Sequence, residues 1–323
     1  MSVRGIKILD IAYPRIRAPD LDGMEEFLTD FGMVKVDRTK NALYMRGTGP
    51  AHHLHITEKG EPSFVSLAYY ARAEDDLHRI ADHPDAVSGV HTIDEPGGGK
   101  RVLLKEPTNG FNVEIVYGIE ELPELPVAYR HPTWPPDVME TIGNPERLRF
   151  GPAHVKRLSH GVVSTPHLKP TLSWFRDTLG LLCTDEFYIG DRDNIIGGFY
   201  RLDRGDEPVD HHVLNVYWNK DRKGLQHASY VVQDVEDLLI GHSHLVRLGK
   251  YHAERGVGYH PPGGQIFDYW INQFGQMHEL YLPTQRFTSK DPSNIMPAPA
   301  AVNPESKFAN TVMECAELGI GED

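Results

Sequence analysis

The sequence predicts an α+β fold built from a duplicated domain, with mixed sheets curled around a pocket. Three observations carry that reading. The strand and helix pattern of the first half recurs in the second. Each half opens on an apolar strand followed by a helix that stops at a glycine. Each half closes on a hairpin, with turns at Asn109-Gly110 and Phe274-Gly275.

The elements follow in chain order. Lys7 to Ile16 alternates through Leu9, Ile11 and Tyr13, as a strand does. Pro19-Asp20-Leu21 then turns into a helix, Leu21 to Phe31, with Leu21, Met24, Phe27 and Leu28 on one face and Gly32 as its stop. Short strands are expected over 41–46, 53–57 and 64–71, and a helix over 73–81. Arg101 to Lys105 and Phe111 to Tyr117 form a hairpin across the Pro107-to-Gly110 turn. Residues 123–152 are rich in proline and poor in periodicity, which marks a linker. The pattern then restarts with a strand over 155–163, a helix over 168–179 stopped by Gly180, a strand over 225–232 and a helix over 235–248. The closing hairpin pairs Gln265–Ile271 with Met277–Leu282. The expected organisation is an N-terminal domain (1–122), a linker (123–152), a C-terminal domain (153–285) and a tail (286–323). A short helix is expected within the tail over 306–318.

Composition narrows the function. The chain has 323 residues, 40% of them hydrophobic and 24% charged, enough for sizeable cores in a soluble protein. The formal charge of −13 and the lack of a basic stripe argue against a nucleic-acid partner. No apolar run approaches the roughly 18 residues that span a bilayer. The N-terminal stretch is broken by charges and prolines and does not read as a signal peptide. The only cysteines, Cys183 and Cys315, give no CxxC and no disulfide framework. Together these suggest a cytoplasmic protein.

Comparison of the halves singles out three residues. Matching Ala18-Pro19-Asp20-Leu21 to Thr165-Pro166-His167-Leu168 sets Tyr13 opposite His160. Matching Glu74-Asp75-Asp76-Leu77 to Val235-Glu236-Asp237-Leu238 sets Ser66 opposite His227, and the hairpins set Glu114 opposite Glu279. A lone strand histidine is ordinarily structural. Two imidazoles and a carboxylate on one curled sheet are a 2-His-1-carboxylate set suited to Fe(II) or Mn(II), with positions left open for substrate. Tyr13, Ser66 and Glu114 would bind such a metal poorly. His278 should face away from Glu279 by strand alternation. His52, His53, His55, His242 and His244 read as surface residues. Val162, Phe187, Ile189, Phe199, Tyr200 and Trp218 are candidate pocket walls.

The stretch Gly258-Tyr259-His260, Tyr269-Trp270, Phe274-Gly275 and Glu279 resembles the signature of the type I extradiol ring-cleavage dioxygenases of the vicinal oxygen chelate superfamily. The resemblance covers about residues 5–285 and departs from the usual pattern at Gln273-Phe274, in the turn. It implies a fold of βαβββ units and extradiol cleavage of a catecholic ring, with both atoms of dioxygen entering the product. It also implies Fe(II), with Mn(II) as the alternative, held by His160, His227 and Glu279. By the same resemblance His212 is the acid/base, and His260 and Tyr269 hold the substrate oxygens. The expected partners are an aromatic diol, dioxygen and further copies of the chain. Two other readings share the fold: a metal-dependent isomerase or lyase, and a non-enzymatic small-molecule binding module.

Overall fold

Helix α1 (Leu21–Phe31) forms where its periodicity predicts and buries Leu21, Met24, Phe27, Leu28 and Phe31. Asp20 caps it by accepting from the Asp22 N–H, and Gly32 ends it in the left-handed region at φ 117°. A side chain at Gly32 would also collide with the Ala153 carbonyl. Helix α3 (Leu168–Leu179) is the counterpart in the second half, ended by Gly180 at φ 64°. Helices α2 (Glu74–Ala81) and α4 (Val235–Leu248) complete the set. These observations come from a computed structural model that describes residues 5–127, 150–260, 262–283 and 285–298. Most of the expected linker and the end of the tail, including the helix expected over 306–318, lie outside the described residues.

The two halves share one strand order. The first sheet holds β1 (Asp10–Ala18), β2 (Val34–Arg38), β3 (Ala42–Arg46), β4 (His55–Lys59), β5 (Ser63–Tyr70), β6 (His91–Thr92), β7 (Lys100–Lys105) and β8 (Asn112–Tyr117). Its order is β2-β3-β4-β1-β5-β8-β7-β6. The second sheet holds β9 (Arg157–Thr165), β10 (Leu182–Tyr188), β11 (Ile195–Arg201), β13 (Leu214–Trp218), β14 (Gly224–Val231), β15 (His252–His260), β16 (Gln265–Ile271) and β17 (Met277–Leu282). Its order, β10-β11-β13-β9-β14-β17-β16-β15, repeats the first. This is an α+β fold of mixed sheets. Strands β2, β10, β11, β13 and β15 were not marked by apolar alternation. β2 is a largely exposed edge, while β10, β11 and β15 carry charges or glycines within them.

Residues 286–298 join the second half. β18 (Arg286–Phe287) pairs with β12 (Val209–Asp210), and β19 (Asn294–Pro297) adds to the sheet beside β10. One apolar core runs through both halves. The α1 rings Phe27 and Phe31 pack against Tyr230 and His278 on the back of the second sheet. His55 bonds the Tyr230 hydroxyl at 2.7 Å across the same junction. His52, His53, His55 and His242 are therefore buried, not surface residues. His242 lies on the inner face of α4 and bonds Asp268. Among the described residues no helix is long and apolar enough to cross a membrane.

Phe31 is fully buried at the junction of the halves. Phe31→Ala should cost about 3–5 kcal/mol, seen as a lower urea midpoint with an unchanged slope.

Candidate metal centre

Strand register builds the centre. On β14, Ser229 pairs with His160 of β9 on one side and with Glu279 of β17 on the other. Glu279 in turn pairs with Tyr269 of β16. Tyr269, Glu279, Ser229 and His160 thus form one row across four adjacent strands. His227 lies two residues before Ser229, on the same face. The small Ser229 leaves room between its larger neighbours.

The side chains converge closely. His160 Nε2 lies 3.2 Å and His227 Nε2 3.3 Å from Glu279 Oε2. The three potential donor atoms all fall within 4.8 Å of one another. His227 Nε2 and Glu279 Oε2 are buried and have no hydrogen-bond partner. The other nitrogen of each ring is engaged: His227 Nδ1 donates to Gln226 Oε1 at 2.5 Å, and His160 Nδ1 meets Ser159 Oγ at 3.2 Å. Such bonds turn the Nε2 lone pairs inward. Burial lowers the His160 pKa and keeps the ring neutral. Burial acts to raise the Glu279 carboxyl, but the two imidazole nitrogens beside it outweigh that and hold the group well below its usual range. Two imidazoles and a carboxylate are a donor set that fits a divalent first-row metal.

The other predicted residues gather at the same cavity, whose volume is about 860 Å³. His212, His260 and Tyr269 all line it. The Tyr269 hydroxyl and His260 Nε2 are 3.0 Å apart. The His212 ring stacks obliquely on His160, with centroids 4.0 Å apart. Burial, followed by the neighbouring imidazoles, drives the His212 pKa well below its ordinary value. Of the expected walls, Val162, Phe187, Ile189, Phe199 and Trp218 line the cavity. Tyr200 does not. It alternates with Phe199 and bonds Glu186 on the opposite face. His278 likewise points away from Glu279, into the core with Phe27 and Phe31.

Sequence reasoning missed the chain behind His212. His212 Nδ1 meets His211 Nδ1 at 3.0 Å, and His211 Nε2 meets Asp185 Oδ2 at 2.6 Å. Asn294 of β19 donates to Asp185 Oδ1, and Phe287 of β18 packs on the His211 ring. The segment after residue 285 therefore backs the catalytic candidates. Only the His211-His212 doublet hinted at this chain. Tyr281, edge-on to His160, was also missed, although it lies on the Glu279 face of β17 by simple alternation.

The same row in the first half reads Tyr13, Ala68, Glu114. Here the carboxylate is answered by organic groups. Arg15 and Arg101 pair with Glu114 at 3.0 and 2.9 Å, Tyr13 donates to it at 2.8 Å, and Ser66 also donates to it.

Comparison with known proteins fits this geometry. No family model matches the chain. It is 27% identical over 266 residues to metapyrocatechase 2 of Cupriavidus necator, covering 82% of this chain and 78% of that protein. Homoprotocatechuate 2,3-dioxygenase of Brevibacterium fuscum superposes with a TM-score of 0.73 at 16% identity, over 98% of this chain and 94% of that one. The chain has the vicinal oxygen chelate fold of the extradiol dioxygenases. A Mn(II)-bound glyoxalase of Novosphingobium aromaticivorans shares this fold, with a TM-score of 0.72 at 19% identity, over 90% and 88% of the two chains.

The two carboxylates should respond differently to removal of charge. Glu279→Gln should lose bound metal with little loss of stability. Glu114→Gln should keep metal but cost about 3 kcal/mol, because Arg15 and Arg101 lose a buried partner. Burial acts to raise the Glu114 carboxyl, but Arg15, Arg101 and the hydrogen bonds of Ser66 and Tyr13 hold it below its ordinary value. Its stabilisation is therefore complete above the unfolded value of about 4.3 and is lost as pH falls through the lower folded value. Urea midpoints of wild type and Glu114→Gln should converge over that acid range.

Proposed function

We propose that this protein is a metal-dependent extradiol dioxygenase that opens a catecholic ring beside its two hydroxyls and inserts both atoms of dioxygen. The observation that carries this reading is the convergence of His160 Nε2, His227 Nε2 and Glu279 Oε2 on the wall of a large cavity that also holds His212, His260 and Tyr269. Fe(II) is the preferred metal on the resemblance to the extradiol dioxygenases, and Mn(II) is the alternative because this donor set accepts both. The chemistry supplied at the triad is Lewis acidity toward the diol and an electron path from diol to dioxygen.

The protein residues have separable tasks. Tyr269 and His260, 3.0 Å apart, orient the diol oxygens and hold one proton between them. His212 is the acid/base. The Asp185 carboxylate accepts from His211 Nε2–H, which leaves His211 Nδ1 to accept from His212 Nδ1–H. His212 Nε2 is then the nitrogen available to take a proton from the diol and to return it as charge develops on oxygen. Asp185 balances the positive charge on the imidazoles while that proton is held. The aromatic walls exclude water from the reacting ring.

The isomerase or lyase and binding-module readings have less support. Neither requires an acid/base chain behind a metal triad confined to one half of the molecule. The expected homo-oligomer and cytoplasmic location belong to the same proposal, and gel filtration and cell fractionation would test them.

Anaerobically purified protein loaded with Fe(II) or Mn(II) should take up one dioxygen per diol and give a yellow ring-fission product. Bound metal with no oxygen uptake for any diol would sink the proposal. His212→Ala should keep metal and lower kcat by roughly 10²–10⁴-fold. Tyr269→Phe should keep metal and slow turnover. Asp185→Asn should lower kcat by roughly 10–100-fold with KM and metal content little changed, and Asp185→Glu should recover part of the loss.

A further inference from the structure

We infer that the substrate is an uncharged catechol bearing a bulky apolar substituent, and that the substituent lies along the wall formed by β10, β11 and β13. This rests on the dioxygenase reading and names the substrate class for that site. Four observations on the cavity carry it.

The first is size. Pockets for drug-sized ligands run about 300–1,000 Å³. At about 860 Å³ this cavity is near the top of that range and far exceeds one diol ring. The second is an apolar track. Val162, Phe187 and Phe199 line the cavity near the triad, and Ile195 and Ile196 extend the wall outward. Phe187 and Phe199 stand edge to face with centroids 5.4 Å apart. The track continues to Ile189 and Trp218, which are each 50% exposed. An apolar substituent lying along this wall would cover both side chains.

The third observation is charge. Among the described residues lining the cavity, Lys220 is the one lysine or arginine, and it is exposed beside the exposed Asp221. Among the described residues no guanidinium or ammonium lies inside to meet a substrate carboxylate, and burying an unpaired carboxylate is strongly unfavourable. The fourth is the form of the free polar atoms. Asn215 Oδ1 and Gln265 Nε2 are buried on residues that line the cavity and have no partner. One is an acceptor and the other a donor. Both suit hydroxyl, carbonyl or amide groups, and the acceptor repels a carboxylate.

The test compares steady-state oxygen uptake by the Fe(II)-loaded full chain on four catechol types. They are catechol itself, a phenyl-substituted catechol (3- and 4-isomers), a butyl-substituted catechol (3- and 4-isomers), and a carboxyalkyl catechol of the same length. The better isomer of an apolar-substituted catechol should exceed catechol in kcat/KM by at least ~10-fold, given what single methylenes contribute in apolar pockets. The carboxyalkyl analogue should fall below its neutral counterpart by at least ~10-fold. Ile189→Arg, a change at an exposed site, should narrow that second ratio, and Trp218→Ala should narrow the first. Equal or better turnover of catechol, or of the carboxylated analogue, overturns this inference and leaves the dioxygenase reading intact. Absence of cleavage with every diol overturns both.

Discussion

A buried carboxylate must be neutralised, and the second half of this protein sets only two imidazoles beside its own. Glu279 Oε2 lies in the core with two imidazole nitrogens at 3.2 and 3.3 Å and no hydrogen-bond donor. A divalent cation would satisfy all three atoms together. The surrounding structure serves to hold that arrangement. Parallel pairing of β14 with β17 and antiparallel pairing with β9 bring the three side chains into one row and its neighbouring position. Gln226 and Ser159 fix the outer ring nitrogens, and Tyr281 stands edge-on to His160.

The first half solves the same electrostatic problem differently. Its carboxylate, Glu114, occupies the equivalent place in the row, with Ala68 where the second half has Ser229. Two guanidinium groups supply the positive charge, and Tyr13 and Ser66 supply hydrogen bonds. Those groups fill the place that a metal and a diol would need. Duplication thus produced one unit whose buried charge is satisfied internally and one whose charge is left open to a cation. The first unit then acts as a scaffold, sending the rings of α1 into the back of the second sheet.

Behind His212 the site depends on chain that follows the repeat. Asp185 and His211 form a short hydrogen-bonded chain away from the cavity. Asn294 and Phe287 hold that chain from β19 and β18. A region with no strong sequence pattern therefore holds the groups that lie behind His212.

Much of the architecture was legible in the sequence. Apolar periodicity and glycine stops gave helices over 21–31, 168–179 and 235–248, and the closing hairpin over 265–282, at the boundaries observed. The offset comparison of halves gave the pairs Tyr13/His160, Ser66/His227 and Glu114/Glu279, because duplication preserves strand register. What the sequence left open was most of what depends on side-chain direction between distant elements. Buried histidines such as His55 and His242 looked like surface residues, since their polar partners Tyr230 and Asp268 lie far away in the chain. Tyr200 looked like a pocket wall until strand alternation turned it outward. By itself the sequence determined the repeat, the elements and the residue types of the centre, because local pattern encodes those. Only the tertiary structure decided which atoms meet, because distances between strands separated by tens of residues are set by sheet packing and not by spacing.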